Sequence, residues 1–183
     1  MDTFEKIKAN KSPRPPVDLS QGRTIAYSRS TTTRMMEVLD ANQRGNVHGG
    51  VIMRMVDEAA AIVAIKHAGT SVVTARVDRF DFLAPAYIGN VVSINCALSY
   101  VGRTSMEIQV EVSAEDLFTG EVRLIARSQV IYVALDAHGK PTPVPPLVPG
   151  SPEEAATIEK ARLRHLHMKK IDEELTDINR EST

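Results

Sequence analysis

Asn42, His48, Gly49, Gly50 and Asp57 fall within sixteen residues of one another. Together they could act on a carbonyl group, with amide donors for a developing oxyanion and a carboxylate to take a proton from water. Each also has a plainer role. Gly49-Gly50 at a helix start offers unpaired N–H groups, the positive end of a dipole and close approach for a substrate, or is only a tight turn. Asp57 is a general base, or less directly a nucleophile, or a structural carboxylate capping a loop or pairing with Arg54. Asn42 polarises a carbonyl or positions a water, or closes an Asx-turn. His48 donates to a substrate or bonds the helix start. Residue type alone leaves these alternatives open.

The element that must position them is the run after Gly50. From Val51 to Ile65 only Arg54, Asp57 and Glu58 interrupt an apolar stretch free of Pro and Gly. Its Ala and Met content favours a helix of roughly four to five turns. At about 100° per residue, Ile52, Val56, Ala59 and Val63 share one stripe, and Arg54 and Glu58 can pair on the other side. Such a helix is apolar over most of its circumference and is expected to be buried. Asp57, beside Met53, Ala60, Ala61 and Ala64, is expected to lose much of its water there.

Composition sets the bounds. With 183 residues, a formal charge of −1 and a single cysteine, Cys96, the chain suits one domain without an intrachain disulfide. Its charge gives no field for nucleic acid or an anionic membrane. The N-terminus lacks the apolar core of a secretion signal, and no apolar run is long enough to span a bilayer. These features lead to the expectation of a cytoplasmic protein with neither a nucleic-acid nor a membrane partner.

Residues 1–22 are rich in Pro and basic side chains and are expected to form a flexible arm. Thr24 to Leu39, with Thr31, Thr32, Thr33 and Val38, is read as a strand leading into the Asn42 loop. After the helix, Ser71–Leu83, Asn90–Val101, Ser105–Ala114 and Glu121–Leu135 read as four strands joined by short turns. The third is the cleanest, with Met106, Ile108, Val110 and Val112 on one face. Short connections imply antiparallel neighbours. A sheet apolar on one face has only the helix to cover it, which gives an α+β fold of hot-dog type over residues 23–140. Residues 141–152 hold six prolines and read as a stiff linker. Ser151-Pro152-Glu153-Glu154 then starts a charged helix reaching about Asn179, with a thin apolar stripe of Ile158, Ala161, Leu175 and Ile178. Residues 153–183 form this C-terminal unit.

Asn42, the run Gly45-Asn46-Val47-His48-Gly49-Gly50 and Met55-Val56-Asp57-Glu58-Ala59 resemble hot-dog acyl-CoA thioesterases. The branch is that of the cytosolic, brain-type hydrolase and its bacterial single-domain relatives. The resemblance runs from about Met35 to Leu147, through Val72–Asp78, Phe82–Val92, Ser105–Ile108 and Gly139–Pro145, and more loosely through Glu159–Lys170. It implies hydrolysis of fatty acyl-CoA to free acid and CoA without a metal or organic cofactor. It further implies a homodimer in which Asn42 of one subunit meets Asp57 of the other, with three dimers forming a hexamer.

On that basis Asp57 and Asn42 are the expected catalytic pair, with Gly49 and Gly50 as oxyanion donors. His48, Thr74 and Ser105 are expected to contact substrate, and Arg76, Arg79 and Arg103 are candidates for the CoA phosphates. His165 and His167 do not suggest a metal site, because residues two apart on a helix point to different faces. Two alternatives stand beside the hydrolase. One is a non-catalytic acyl-CoA sensor, although the arm is too short and Pro-rich for a DNA-binding module. The other is a hot-dog enoyl-CoA hydratase, although no second His is placed for the pair that class uses.

Overall fold

The computed structural model describes residues 17–181, with side chains as far as His167. The arm from 1 to 16 and the side chains of Leu175 and Ile178 lie outside the described residues. A five-stranded antiparallel sheet curls around one long helix. In chain order the elements are α1 (Ile25–Ser28), β1 (Ser30–Met35), a 3₁₀ turn (Val38–Asp40), α2 (Gly49–Ala68), β2 (Ser71–Phe82), β3 (Val91–Val101), β4 (Ser105–Glu115), β5 (Val122–Leu135) and α3 (Pro152–Glu181). The sheet order is β1-β3-β4-β5-β2, so β2 forms a free edge. This is the α+β hot-dog architecture expected from the sequence, with the extra C-terminal helix.

The helix α2 is longer than its apolar run because its ends carry their own signals. His48 caps the start, its Nδ1 accepting from the Gly50 N–H at 2.9 Å. Gly69, at φ 69°, takes the left-handed conformation that ends it. Ile52, Met55, Val56, Ala59, Ala60, Val63 and Ala64 are buried along one side. They meet the apolar face of the sheet, where Val92, Ile94, Met106, Ile108, Val110 and Val112 are also buried. Cys96 lies in this core, and burial pushes its thiol up to about 12.

Three features differ from the expectation. Thr24 to Leu39 is not one strand. Thr24 caps α1 by accepting from the Tyr27 N–H at 3.2 Å, and only Ser30–Met35 pairs with β3. The Pro-rich stretch is packed on the domain: Val144 is buried, the Thr142 and Val144 N–H groups bond the carbonyls of Ala134 and Arg103, and Leu147 packs on the core. The Asp57 side of α2 is uncovered, so the carboxylate expected to be desolvated is exposed in the single chain. The reason is that β2 does not close over it. No residue of that edge strand is buried, and Val73 and Val77 remain 47% and 45% exposed.

Candidate active site

The loop before α2 is held by Asp40. Its buried carboxylate takes both Arg34 Nη2 contacts at 2.7 and 2.8 Å and the Glu37 N–H at 2.9 Å, while its carbonyl accepts from the His48 N–H. Burial would push this carboxyl up, but the Glu37 N–H and the Arg34 guanidinium, aided by the Arg54 charge, hold it below the usual range. Arg54 therefore acts on Asp40, and the ion pairs of the described residues do not include it with Asp57 or Glu58.

Asn42 closes the turn and leaves its amide donor unused. Its Oδ1 accepts from the N–H groups of Arg44 (2.8 Å) and Asn46 (3.3 Å), closing the turn. Its Nδ2 has no acceptor among the described residues and is free to donate. The Gly49 N–H is likewise free. Gly50 is a correction to the expected oxyanion pair, because its N–H is taken by the His48 cap. With Nδ1 accepting, Nε2 is the ring nitrogen left to donate. Asn42 and Gly49 border a cavity of about 380 Å³ whose other walls include Val47, Ile52, Phe82, Leu83 and Ile125. A polar lip on an apolar pouch suits a thioester with a hydrocarbon tail.

Asp57 has a different neighbourhood. Thr74 Oγ1 donates to its Oδ1 at 2.7 Å, and the Tyr132 hydroxyl reaches the same oxygen at 2.8 Å and the Asp57 carbonyl at 2.7 Å. Sequence analysis brings Thr74 here but misses Tyr132. The available signal was a tyrosine on the inward side of an apolar strand, since a buried phenol needs a partner for its hydroxyl.

The expected CoA contacts do not gather in either place. Arg76, Arg79 and Ser105 line a cavity of about 230 Å³ together with Tyr100, Glu107, Arg164 and His165 from the sheet and α3. Arg76 pairs with Asp78 and Arg79 with Asp81. Arg103 is exposed at the β3–β4 turn, where its carbonyl holds Val144.

Comparison with known proteins follows this geometry. Residues 44–119 match the thioesterase superfamily. An uncharacterized Bacillus subtilis acyl-CoA thioester hydrolase, YkhA, is 40% identical over 138 residues, covering 75% of this chain and 80% of that one. The mouse cytosolic acyl coenzyme A thioester hydrolase is 38% identical over 156 residues, or 84% of this chain but only 41% of the mouse protein. The chain thus spans about two fifths of that mammalian relative's length. Among solved structures, an apo-hexameric acyl-CoA thioesterase superposes with TM-score 0.78 at 38% identity, covering 83% of this chain and 97% of that one. An acyl-CoA hydrolase from Staphylococcus aureus, in complex with butyryl coenzyme A and coenzyme A, gives 0.74 at 34% identity, covering 85% and 96%. The chain belongs to the thioesterase superfamily, in the branch of acyl-CoA thioester hydrolases.

Proposed function

We propose that this protein hydrolyses fatty acyl-CoA to free fatty acid and CoA, in sites shared between two copies of the chain. The observation that carries the sharing is a distance. Asp57 lies eight helical steps beyond Gly49, about 12 Å along the axis at 1.5 Å per residue. A carbonyl polarised at Gly49 and a water activated at Asp57 must lie about 3 Å apart to react, so one chain's two halves serve different sites. The free edge of β2 supplies the remedy. A second copy laid antiparallel along it sets each Thr74 against the far half of the other strand, where Phe82 closes the Asn42–Gly49 cavity. Exposed Val73 and Val77 and an unpaired edge are the features a partner strand covers.

In such a site Asp57 takes a proton from water, and the oxygen attacks the thioester carbon. The Gly49 N–H and Asn42 Nδ2 stabilise the oxyanion. Collapse breaks the C–S bond, and the CoA thiolate takes the proton back from Asp57. No metal or cofactor enters this scheme. His48 Nε2 and Thr74 contact substrate, while Arg76, Arg79 and Arg103, which do not gather at this site in the single chain, are assigned to the CoA phosphates on the family resemblance alone. Support for Asn42, Asp57 and Thr74 comes from the S. aureus hydrolase, which has been solved with alanine replacing an Asn, an Asp fifteen residues further on and a Thr seventeen beyond that. Asn42, Asp57 and Thr74 have the same spacing. The named hexamers among the neighbours support a trimer of such dimers, and the mammalian relative's name supports a cytoplasmic setting.

Free-thiol release from acyl-CoAs of graded chain length, with wild type and Asp57→Ala side by side, tests the activity. Release that collapses in the variant, at unchanged oligomeric state, is expected. Tight acyl-CoA binding without release from any chain length would overturn the hydrolase and favour a sensor.

A further inference from the structure

We propose that Tyr132 is a positioning residue for this hydrolysis, turning the Asp57 carboxylate so that Oδ2 alone faces the attacking water. The inference rests on Asp57 being the base. Two hydroxyls converge on Oδ1, Thr74 Oγ1 at 2.7 Å and Tyr132 at 2.8 Å, while Oδ2 has no donor among the described residues. The oxygen with both hydrogen bonds has its lone pairs engaged and is the poorer proton acceptor. Oδ2 keeps its lone pairs for water.

The two hydroxyls are not independent. Thr74 and Tyr132 are directly opposite each other in the β2–β5 register, and Tyr132 is opposite Met106 on β4. Tyr132 is only 1% exposed, so its hydroxyl is fixed by strand pairing on both sides and by a packed ring. Its single proton is shared with the Asp57 carbonyl at 2.7 Å in a bifurcated bond, which ties the same hydroxyl to the helix backbone. An exposed Asp side chain on a helix otherwise rotates freely about its terminal torsion. Here β5 pins it to the helix and leaves one oxygen outward. Burial pushes the phenol's ionisation well above its ordinary value, so Tyr132 remains a donor throughout the working range.

The test is the pH–rate profile of Tyr132→Phe, which removes one oxygen and keeps the ring. Loss of a hydrogen bond to the charged carboxylate moves the acid limb to higher pH. It also lowers kcat about tenfold with KM nearly unchanged. Thr74→Val shifts the limb in the same direction. Site-specific 3-fluorotyrosine at 132, a stronger donor of nearly the same size, moves it to lower pH and guards against a folding defect in the Phe variant. Wild-type kcat and an unmoved limb in Tyr132→Phe, with only a lowered melting temperature, would leave Tyr132 a merely structural residue and overturn the proposal. Absence of thiol release by wild type would sink the hydrolase reading itself, so the two failures are told apart.

Discussion

The ring of Phe82 lies over Gly49 so closely that a Cβ on Gly49 would stand 3.1 Å from Phe82 Cζ. Gly49 is absent from the glycines with positive φ, so it is glycine for space and not for backbone conformation. Phe82 is 54% exposed and packs on Phe80 with centroids 4.7 Å apart, which leaves it room to yield. Gly49→Ala is expected to push the ring into the cavity and cut thiol release about tenfold, by misplacing the carbonyl from its N–H donor. Adding Phe82→Ala should restore much of the loss. Steady-state rates of the two single variants and the double variant check this.

The exposed β2 edge makes a second expectation. Val77→Lys places a charge where a partner strand is expected to lie, a substitution that edges use to prevent pairing. The variant should remain folded by circular dichroism, sediment as a smaller species than wild type and lose thiol release. A variant with unchanged mass and full activity would place the interface elsewhere.

His67 is expected to govern the acid stability of the Pro-rich segment. Its ring is fully buried, Nε2 lies 2.9 Å from the Pro145 carbonyl, and Nδ1 has no partner among the described residues. Burial pushes its pKa below 6.5, the Pro145 hydrogen bond partly opposes this, and the Arg23 charge adds to the lowering. The unfolded chain therefore binds the proton more readily. The contribution is complete above about pH 6.5 and is lost as pH falls toward the lower folded value. Melting temperature should drop across that interval, and His67→Gln, which cannot titrate, should flatten the drop.

How α3 docks is a separate matter of charge. Glu107 is 5% exposed, accepts from Ser99 Oγ at 2.5 Å and pairs with Arg164, while His165 stacks on Tyr100 with centroids 4.5 Å apart. Arg164→Ala leaves a buried carboxylate with one neutral donor and should cost about 2–3 kcal/mol. Urea unfolding measures that cost, and limited proteolysis should cut α3 faster in the variant.

The sheet and the long helix were legible because their burial follows simple periods. Met106, Ile108, Val110 and Val112 alternate along β4 and are all buried, as are Ile52, Val56, Ala59 and Val63 on α2. Their packing needs no knowledge of a distant partner. What was hidden depends on contacts far apart in sequence. Tyr132 reaches Asp57 across 75 residues, and His67 reaches Pro145 across 78. The exposure of Asp57 was misjudged for a related reason, since an apolar helix does not reveal which of its sides its own sheet fails to cover. Gly50 was misassigned because its local competitor, the His48 ring, fills the N–H that the dipole argument left open.

The most direct measurement mixes two dead proteins. Asn42→Ala and Asp57→Ala are each expected to lose nearly all thiol release. If each site takes Asn42 from one subunit and Asp57 from the other, a mixed dimer keeps one intact site. Random exchange of equal amounts should then restore about a quarter of wild-type activity, because half the dimers are mixed and half their sites are whole. Exchange is verified by mass spectrometry of differently tagged subunits. Recovery near that level supports the shared site. No recovery after proven exchange would mean that Asn42 and Asp57 of the same chain serve one site, and would contradict the account.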